Sequence, residues 1–434
     1  MFGYYIDLAL RSLRRSPVLT ALMVLAIGLG IGASMTMLTV LHVMTADPIP
    51  SRSAILFRPQ VDPSPMKNFT DGDEPPSAMS WIDVRNLLDA HKGVKQAAMT
   101  GGQVTVIPPS GISHAFDVHA RFTTADFFAL FGVPFVDGRG WSASDGDKRS
   151  RVAVITRKLA DKLYGRQSAV DKTLRIGKYD FQVVGVIDAW NPEPRFYDLD
   201  MGAYADSEQI FMPFRTAMDL KLSVMSNINC WGSFPQGGNM LEANDCAWVK
   251  YWVELDTPAQ VAAYRHYLVD YSLEQKRLGR FQRPPNTRLR NVMQWLDYNQ
   301  VVPGSVQLQT LLALGFLLVC LVNTVALLLV KFLRLGGSLS VRRAMGASRR
   351  SIFAQLLTEA SLIGLAGGAV GLGLALFGLW IVRMQPAQYA RLAQLDVSML
   401  VSTFFLAVGV TLLAGLFPAW RACRLAPGRL LKTQ

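Results

Sequence analysis

The chain has 434 residues, enough for two or three domains, and half of them are apolar. Its formal net charge of +12 raises the question of a nucleic-acid partner. From Asp47 to Leu308 there are 29 Lys and Arg against 29 Asp and Glu, so the excess lies in the remainder, at 15 against 3. Those basic residues flank apolar segments instead of covering a folded domain, which argues against nucleic-acid binding.

Residues 1–16 predict an amphipathic helix on a membrane face, because apolar residues recur at helical spacing ahead of Arg11, Arg14 and Arg15. A spanning helix over residues 17–46 follows. A signal peptide is the alternative, but the stretch from Val18 to Met44 is 27 residues without Asp, Glu, Lys or Arg, well beyond the apolar core of a signal. We therefore favour a retained span.

Residues 47–308 have the composition of a soluble domain, with prolines, acids and tryptophans and no run of spanning length. Residues 77–100 predict a capped helix followed by a strand. VAVIT and FQVVGVI predict strands, with the helix RKLADKLYG between them. This pattern indicates a large domain of mixed α/β structure.

The C-terminal part, residues 309–434, predicts three further spans at about 310–330, 361–382 and 397–416. Of the 15 basic residues in the membrane-associated part, 13 fall on one side of these spans. The positive-inside rule then places both termini in the cytoplasm. The predicted fold is an integral membrane α-helical protein with four transmembrane helices and the mixed α/β domain outside, between helices 1 and 2.

Small and polar residues inside the spans predict close helix packing. Asn323 is a polar side chain within the second span, so we expect it to hydrogen-bond another helix. The glycines form small-xxx-small pairs that bring helices together, either between subunits or inside one subunit. These glycines are Gly28 and Gly32 in the first span and Gly364, Gly367, Gly368 and Gly371 in the third.

The segment Val341–Arg350, VRRAMGASRR, has four arginines and no acid. Gly346 can adopt the left-handed conformation that ends a short helix, and Ser348 can cap the next helix. The segment therefore predicts a bent knuckle at a membrane face, with an ordinary positive-inside loop as the alternative. Glu359 follows at the mouth of the third span. There the helix dipole and the arginines would keep it charged, unless it is an ordinary interfacial carboxylate.

Several segments resemble the MacB/FtsX-like permeases of ABC systems. Leu321–Gly378, containing LVNTVALLLV, VRRAMGAS and LLTEASLIGLAGGAVGLGLAL, is similar to the family's C-terminal membrane domain. Phe122–Trp141 and Arg151–Asp188 resemble its extracytoplasmic core domain, and Gly415–Leu431 resembles its closing motif. The resemblance implies a second lobe inserted at about residues 190–250.

The resemblance also implies how such a chain works in a bacterial inner membrane. Two cytoplasmic ATPase subunits move the spans, and the motion reaches the extracytoplasmic domain. The N-terminal helix and the knuckle would receive this motion. The ATPase-coupling residues would be Arg342, Arg343, Ala344, Met345, Gly346, Ala347, Arg349 and Arg350, followed by Glu359.

Catalytic motifs are absent from the sequence. The segment closest to a Walker A, RQSAVDKT, has Arg166 and Asp171 where both phosphate-loop glycines should be, and no H-E-x-x-H or G-x-S-x-G occurs. We expect a non-catalytic permease without a fused ATPase, metal or cofactor of its own, with ATP and Mg bound by a partner ATPase. Cys230 and Cys246 would meet an oxidising compartment and could form a disulfide, or they are two unrelated small residues.

The expected partners follow from the resemblance as well. They are the ATPase dimer, a second permease subunit, the lipid bilayer, and a periplasmic adaptor with an outer-membrane channel in a tripartite exporter. The alternatives are lipoprotein extraction and regulation of a cell-wall hydrolase or of envelope signalling. Gly337 and Ser338 stand where family members commonly have an Arg-Glu pair, so we expect a heterodimer with a better-matched permease.

Overall fold

The computed structural model describes residues 2–67, 69–109, 114–232, 243–335, 337, 341–343, 345–385, 389–390 and 397–424. The helices are α1 Phe2–Arg15, α2 Pro17–Thr45, α3 Trp81–Asp89, α4 Phe127–Phe131, α5 Ala143–Asp147, α6 Arg157–Tyr164, α7 Phe214–Asp219, α8 Pro258–Arg277, α9 Val292–Tyr298, α10 Gly304–Arg334, α11 Arg349–Arg383 and α12 Val397–Arg424. The strands are β1 Leu56–Gln60, β2 Gln96–Ile107, β3 Phe116–Thr123, β4 Phe135–Gly138, β5 Val152–Thr156, β6 Thr173–Ile176, β7 Tyr179–Ile187, β8 Ile210–Pro213, β9 Val224–Met225, β10 Asn229–Cys230, β11 Cys246–Ala247, β12 Lys250–Glu254 and β13 Arg288–Asn291.

These elements form two compact units. The helical unit comprises Met1–Thr45 and Val302–Gln434, and the core unit is Ala46–Val301. The core unit is therefore an insertion in the chain between the first spanning helix and the rest of the helical unit.

The core unit is built on one mixed sheet. Its strand order is β13-β1-β12-β2-β3-β8-β5-β7-β4, with β6 paired to β2 and β7 and β9 paired to β2. The pairs β3–β8 and β5–β7 are parallel, and the other described pairs in this sheet are antiparallel. The capped helix, the two strands and the helix between them that the sequence predicts are confirmed as α3, β5, β7 and α6.

Both faces of the sheet are covered by apolar cores. Because successive side chains of a strand point to opposite faces, neighbouring residues belong to different cores. Ala98 and Ile155 belong to one core, packed under α3, α6 and α8, whereas Met99 and Val154 belong to the other, packed under α4 and α9. Strands buried on both faces carry continuous apolar runs, and the run VAVI in β5 is an example.

Part of the segment at about residues 190–250, for which an inserted lobe is predicted, belongs to this sheet. Strand β8 lies between β3 and β5 in the middle of the sheet, and all four of its residues are buried. The run Ile-Phe-Met-Pro is apolar throughout, as a central strand requires. Strands β10 and β11 of the same segment form a separate two-stranded sheet, and the second lobe stays a prediction.

The helical unit has three helices that are long and apolar enough to cross a membrane among the residues the structure describes: Pro17–Thr45, Gly304–Arg334 and Arg349–Arg383. The fourth predicted span, at about 397–416, falls in α12, whose apolar described part is Val408–Ala422. Helix α1 precedes the first span, and its Ala9 is fully buried. The buried side chains of this unit form one core, to which α2, α10, α11 and α12 contribute.

Candidate coupling site

The basic knuckle forms the turn that the sequence predicts. Gly346 has φ +99°, a left-handed conformation that L side chains rarely adopt, and a Cβ there would meet nothing within 4 Å. The glycine is therefore needed for its backbone conformation and not for space. The Ser348 side chain accepts a hydrogen bond from Ser351 N and begins α11, as predicted. Ala344 lies outside the described residues.

Side-chain contacts attach this turn and helix α1 to the first turns of α11. Arg342 Nη1 donates to Gln355 Oε1 over 2.9 Å. The Tyr5 hydroxyl on α1 lies 3.0 Å from Ser351 Oγ. Met345 is 76% exposed, and Arg349 and Arg350 are also exposed. The knuckle is thus attached to α11 through Arg342 and also presents an accessible basic surface.

The most buried charged group of the site is Glu359, on α11. Its Oε1 lies 2.6 Å from Lys331 Nζ on α10 and accepts a hydrogen bond from Ser12 Oγ on α1 over 2.8 Å. Lys331 Nζ also donates to Thr20 Oγ1 on α2 over 3.4 Å. One buried ion pair therefore brings together α1, α2, α10 and α11, a cluster we call the four-helix latch (Ser12, Thr20, Lys331 and Glu359).

The surroundings of Glu359 differ from those predicted. Its side chain is 0% exposed, so it is not an interfacial carboxylate. Helix α11 begins at Arg349, which puts Glu359 well beyond the first turn, where the effect of the helix dipole has faded. The compensating charge is Lys331 instead of an arginine. The sequence signal for this partner was a lone lysine at the end of an apolar run.

The predicted glycine pairs bring α2 and α11 together within one chain. A Cβ on Gly28 would lie 2.7 Å from Val370 Cγ1, and a Cβ on Gly32 would lie 2.7 Å from Leu374 Cβ. From the other side, a Cβ on Gly367 or Gly371 would lie 2.6 or 2.9 Å from side-chain atoms of Ile27 and Ile31. Gly28 and Gly32 therefore pack against another helix of the same chain, which is the second of the two predicted alternatives.

The other glycines of α11 differ in their surroundings. Gly364 faces α12, where a Cβ would come within 2.1 Å of Thr411 Oγ1. Gly368 is half-buried. Gly373 has nothing within 4 Å of its Cβ position, so it is not needed for packing in this chain. The close contacts to α2 thus lie along one face of α11. Those to α12 are at Gly364 and at Ala360, whose Cβ would lie 2.5 Å from a Cβ on Gly415.

Two protein-family models match this chain. One, described as the MacB-like periplasmic core domain, matches residues 20–271, which is more than half of the chain, and one described as the FtsX-like permease C-terminal matches residues 310–427. The chain belongs to the MacB/FtsX-like permease family. It is an inner-membrane permease with a periplasmic MacB-like domain and three candidate spans in the described part of the chain.

Relatives of the permease are similar along most of its length. The macrolide export ATP-binding/permease protein MacB 2 of Aeromonas hydrophila is 22% identical over 377 residues, which are 85% of this chain and 51% of the relative. The pyoverdine export ATP-binding/permease protein PvdT of Pseudomonas entomophila is 26% identical over 366 residues, which are 83% and 49%. The permease thus spans about half the length of these curated relatives.

A solved structure, the periplasmic region of MacB from Actinobacillus actinomycetemcomitans, is also similar. Its match covers 56% of this chain and 92% of that one, with 14% identity and a TM-score of 0.36.

Two further predicted features of the permease are Asn323 and the cysteine pair. Asn323 is exposed on α10, in a stretch that also exposes Val319, Val322 and Ala326. Cys230 and Cys246 are joined by a disulfide, which closes a loop of sequence separation 16. By the loop-entropy relation such a cross-link contributes about 3 kcal/mol.

Among the described residues no group of His, Cys, Asp and Glu could hold a metal ion.

The core domain of the permease also buries a charge cluster that the sequence did not reveal. Arg121 Nη1 lies 2.5 Å from Asp198 Oδ2, and Arg121 Nη2 contacts Glu208. Burial disfavours the Asp198 carboxylate, but the nearby Arg121 and Lys250 outweigh it and hold its pKa well below the usual range. Burial likewise opposes the charge of Arg121, and Glu208 and Asp198 raise its pKa on balance. These shifts favour the charged forms of Asp198 and Arg121 at neutral pH.

Proposed function

We propose that this chain is the permease part of an ABC transporter that transmits ATP-driven motion to its periplasmic core domain. The observation that carries this proposal is the four-helix latch. Helix α1 and three long apolar helices meet at one buried ion pair, and removing one partner of such a pair costs about 3–5 kcal/mol. A force applied to α1 or to the knuckle therefore displaces the helices together.

ATP hydrolysis is assigned in this proposal to a cytoplasmic ATPase dimer, with ATP and Mg bound there. The 434 residues have no Walker A sequence, and the relatives are named as ATP-binding/permease proteins. The exposed Arg349 and Arg350, beside Arg342 and Arg343, support docking of an acidic ATPase surface on the knuckle. The permease itself then contributes no catalytic residue.

The proposed topology has four spans and both termini in the cytoplasm, with α12 as the fourth span. The positive-inside rule supports it, because 13 of the 15 basic residues of the membrane part fall on the side assigned to the cytoplasm. It puts α1 and the knuckle on the face where an ATPase would be found. Asp47–Leu308 is then the periplasmic part, which agrees with the disulfide.

A second permease subunit is proposed to pack against α10. Asn323 is exposed there, and an amide facing lipid is unfavourable unless another helix supplies its hydrogen bonds. Gly315 and Ala326 on the same helix are exposed and small, which supports a close approach. We favour a different permease over a second copy, because Gly337 and Ser338 replace the Arg-Glu pair at the knuckle.

The assembly we propose is a tripartite exporter, with a periplasmic adaptor and an outer-membrane channel. Co-purification of the tagged chain from its native cell after gentle solubilisation tests it. An ATPase, a second permease and an adaptor in stoichiometric amounts would support the proposal. A lipoprotein carrier would indicate lipoprotein extraction instead, and a cell-wall hydrolase or a sensor kinase would indicate a regulator. Recovery of no ATPase would contradict the coupling role of the knuckle.

A further inference from the structure

The core unit contains a cleft whose lining shares no residue with the charge cluster. It has a volume of about 260 Å³ and is bordered by the C-terminal end of α3, the loop between β3 and α4, α5 and the start of α7. Ligand pockets for drug-sized molecules usually measure roughly 300–1,000 Å³. The cleft is therefore suited to a compact ligand.

Rigid aromatic side chains form part of its wall. Trp81 stacks on Phe214 with ring centroids 4.8 Å apart and an interplanar angle of 21°. Trp141 packs edge-to-face on Phe128, at 4.9 Å and 86°. Trp141 is 5% exposed, and its indole N–H has no hydrogen-bond partner among the described residues. Aromatic faces held in this way attract apolar groups and cations.

The charge of the lining is negative. Three carboxylates, Asp89, Asp126 and Asp147, border the cleft together with a single arginine, Arg215. Arg215 Nη1 lies 3.6 Å from Asp147 Oδ1. In the described part of the chain, no basic group forms an ion pair with Asp89 or Asp126. A cleft lined by one sign of charge concentrates counter-ions.

Arg215 also shows where a cation fits. Its guanidinium carbon lies 6.0 Å from the centre of the Trp81 ring, so this wall already accommodates one positive group beside a carboxylate. A second cation placed toward Asp89 and Asp126 would offset one of the two remaining negative charges.

We propose that this cleft binds a compact organic cation, an apolar ring or chain bearing an ammonium group. The apolar part packs against the Trp81–Phe214 stack, and the ammonium faces Asp89 and Asp126. The cleft volume of about 260 Å³ favours a small molecule over a basic segment of a partner protein. This site rests on the core unit alone and does not depend on the proposed coupling to an ATPase.

The test uses the full chain in lipid nanodiscs, labelled with 5-fluorotryptophan. Fluorine NMR follows the Trp141 resonance, which the Trp141→Phe variant assigns, during titration with benzyltrimethylammonium. Benzyl alcohol and benzenesulfonate provide matched neutral and anionic rings. We expect a saturable shift of the Trp141 signal with the cation and none with the other two probes.

Two variants make the test specific. Asp89→Asn combined with Asp126→Asn keeps size and hydrogen bonding but removes the unpaired charge, and we expect binding to weaken by about fivefold or more. Asp161→Asn, an exposed acid on α6, is the control and should bind as the parent does. The proposal is overturned by an unchanged Trp141 signal, by equal shifts with all three probes, by undiminished binding in the double variant, or by binding of a basic peptide alone.

Discussion

Lys331 Nζ lies 2.6 Å from Glu359 Oε1, and neither side chain is open to solvent, at 4% and 0% exposure. The two residues sit on different long apolar helices, and Ser12 of helix α1 donates to the same oxygen. Glu359 Oε2 has no partner among the described residues. The pair is therefore only partly compensated by hydrogen bonds, which makes it sensitive to the loss of any one partner.

Removal of one member of the pair should destabilise the permease strongly. We expect Lys331→Met to lower the free energy of unfolding by about 3–5 kcal/mol, because it leaves the Glu359 carboxylate buried without a counter-charge. Replacing both residues, Lys331→Met with Glu359→Leu, should recover most of that stability while coupling to the ATPase is lost. Thermal unfolding in detergent measures the first effect, and stimulated ATPase activity with the partner measures the second. Arg334→Met, exposed on the same helix, is the control.

Equal destabilisation in the single and double variants would show that the polar contacts of the latch, and not charge compensation, stabilise it. Normal stimulated activity in a folded double variant would contradict its coupling role.

Charge reversal at the knuckle should separate folding from coupling. Arg342→Glu with Arg343→Glu should leave membrane insertion intact but abolish stimulation of ATPase activity, because an acidic docking surface would be repelled. The change also removes the hydrogen bond from Arg342 to Gln355. Gln355→Ala removes that contact without altering the charge and should keep activity near the parent level. Unimpaired stimulation in the double reversal would return the knuckle to an ordinary topology signal.

Local structure was largely predictable, because it depends on residues close in sequence. Gly346, Ser348 and the strand-helix-strand run from VAVIT to FQVVGVI are examples, since turn conformation, capping and periodicity are read within a few positions. The glycine pairs were visible as a spacing. The helix that they pack against was not, because spacing alone does not specify the partner helix.

Contacts between residues far apart in sequence could not be predicted in this way. Arg121 meets Asp198 and Glu208 across 77 and 87 residues, and these charges looked like ordinary surface residues in the sequence. The place of β8 in the middle of the sheet depends on a parallel pairing with β3 that no local pattern encodes. In the sequence, Lys331 is one of the basic residues that predict the cytoplasmic side, and nothing near it indicates that Glu359 packs against it.

Two glycines of α11 should respond oppositely to alanine. Gly367→Ala places a Cβ 2.6 Å from Ile27 Cγ2, whose side chain is buried, so we expect a loss of about 1–3 kcal/mol. Gly373→Ala meets nothing and should stabilise the helix by about 0.5–1 kcal/mol through its higher helix propensity. Thermal unfolding of the two variants side by side checks this, and a stable Gly367→Ala protein would contradict the close α2–α11 contact.

The core unit should lose stability in acid through Asp198. Its pKa in the folded state is lowered, so its stabilising effect is complete above the unfolded value of about 4 and is lost as pH falls toward the folded value. Near-ultraviolet circular dichroism during urea unfolding at pH 7, 5, 4 and 3 should show a falling midpoint below about pH 4. The Asp198→Asn variant should be less stable at pH 7, and its urea midpoint should change less with pH. The exposed Asp161→Asn should follow the parent curve.

Asn323 should govern association with the second permease. On α10 it is exposed, so its amide contributes little inside this chain but forms interhelical hydrogen bonds once another helix covers it. We expect Asn323→Leu to keep the thermal stability of the isolated permease and to weaken pairing by about 1 kcal/mol, measured by energy transfer between labelled permeases in lipid nanodiscs. Val322→Leu, exposed on the same helix, is the matched control. Pairing equal to the parent in the Asn323 variant would assign that face of α10 to lipid.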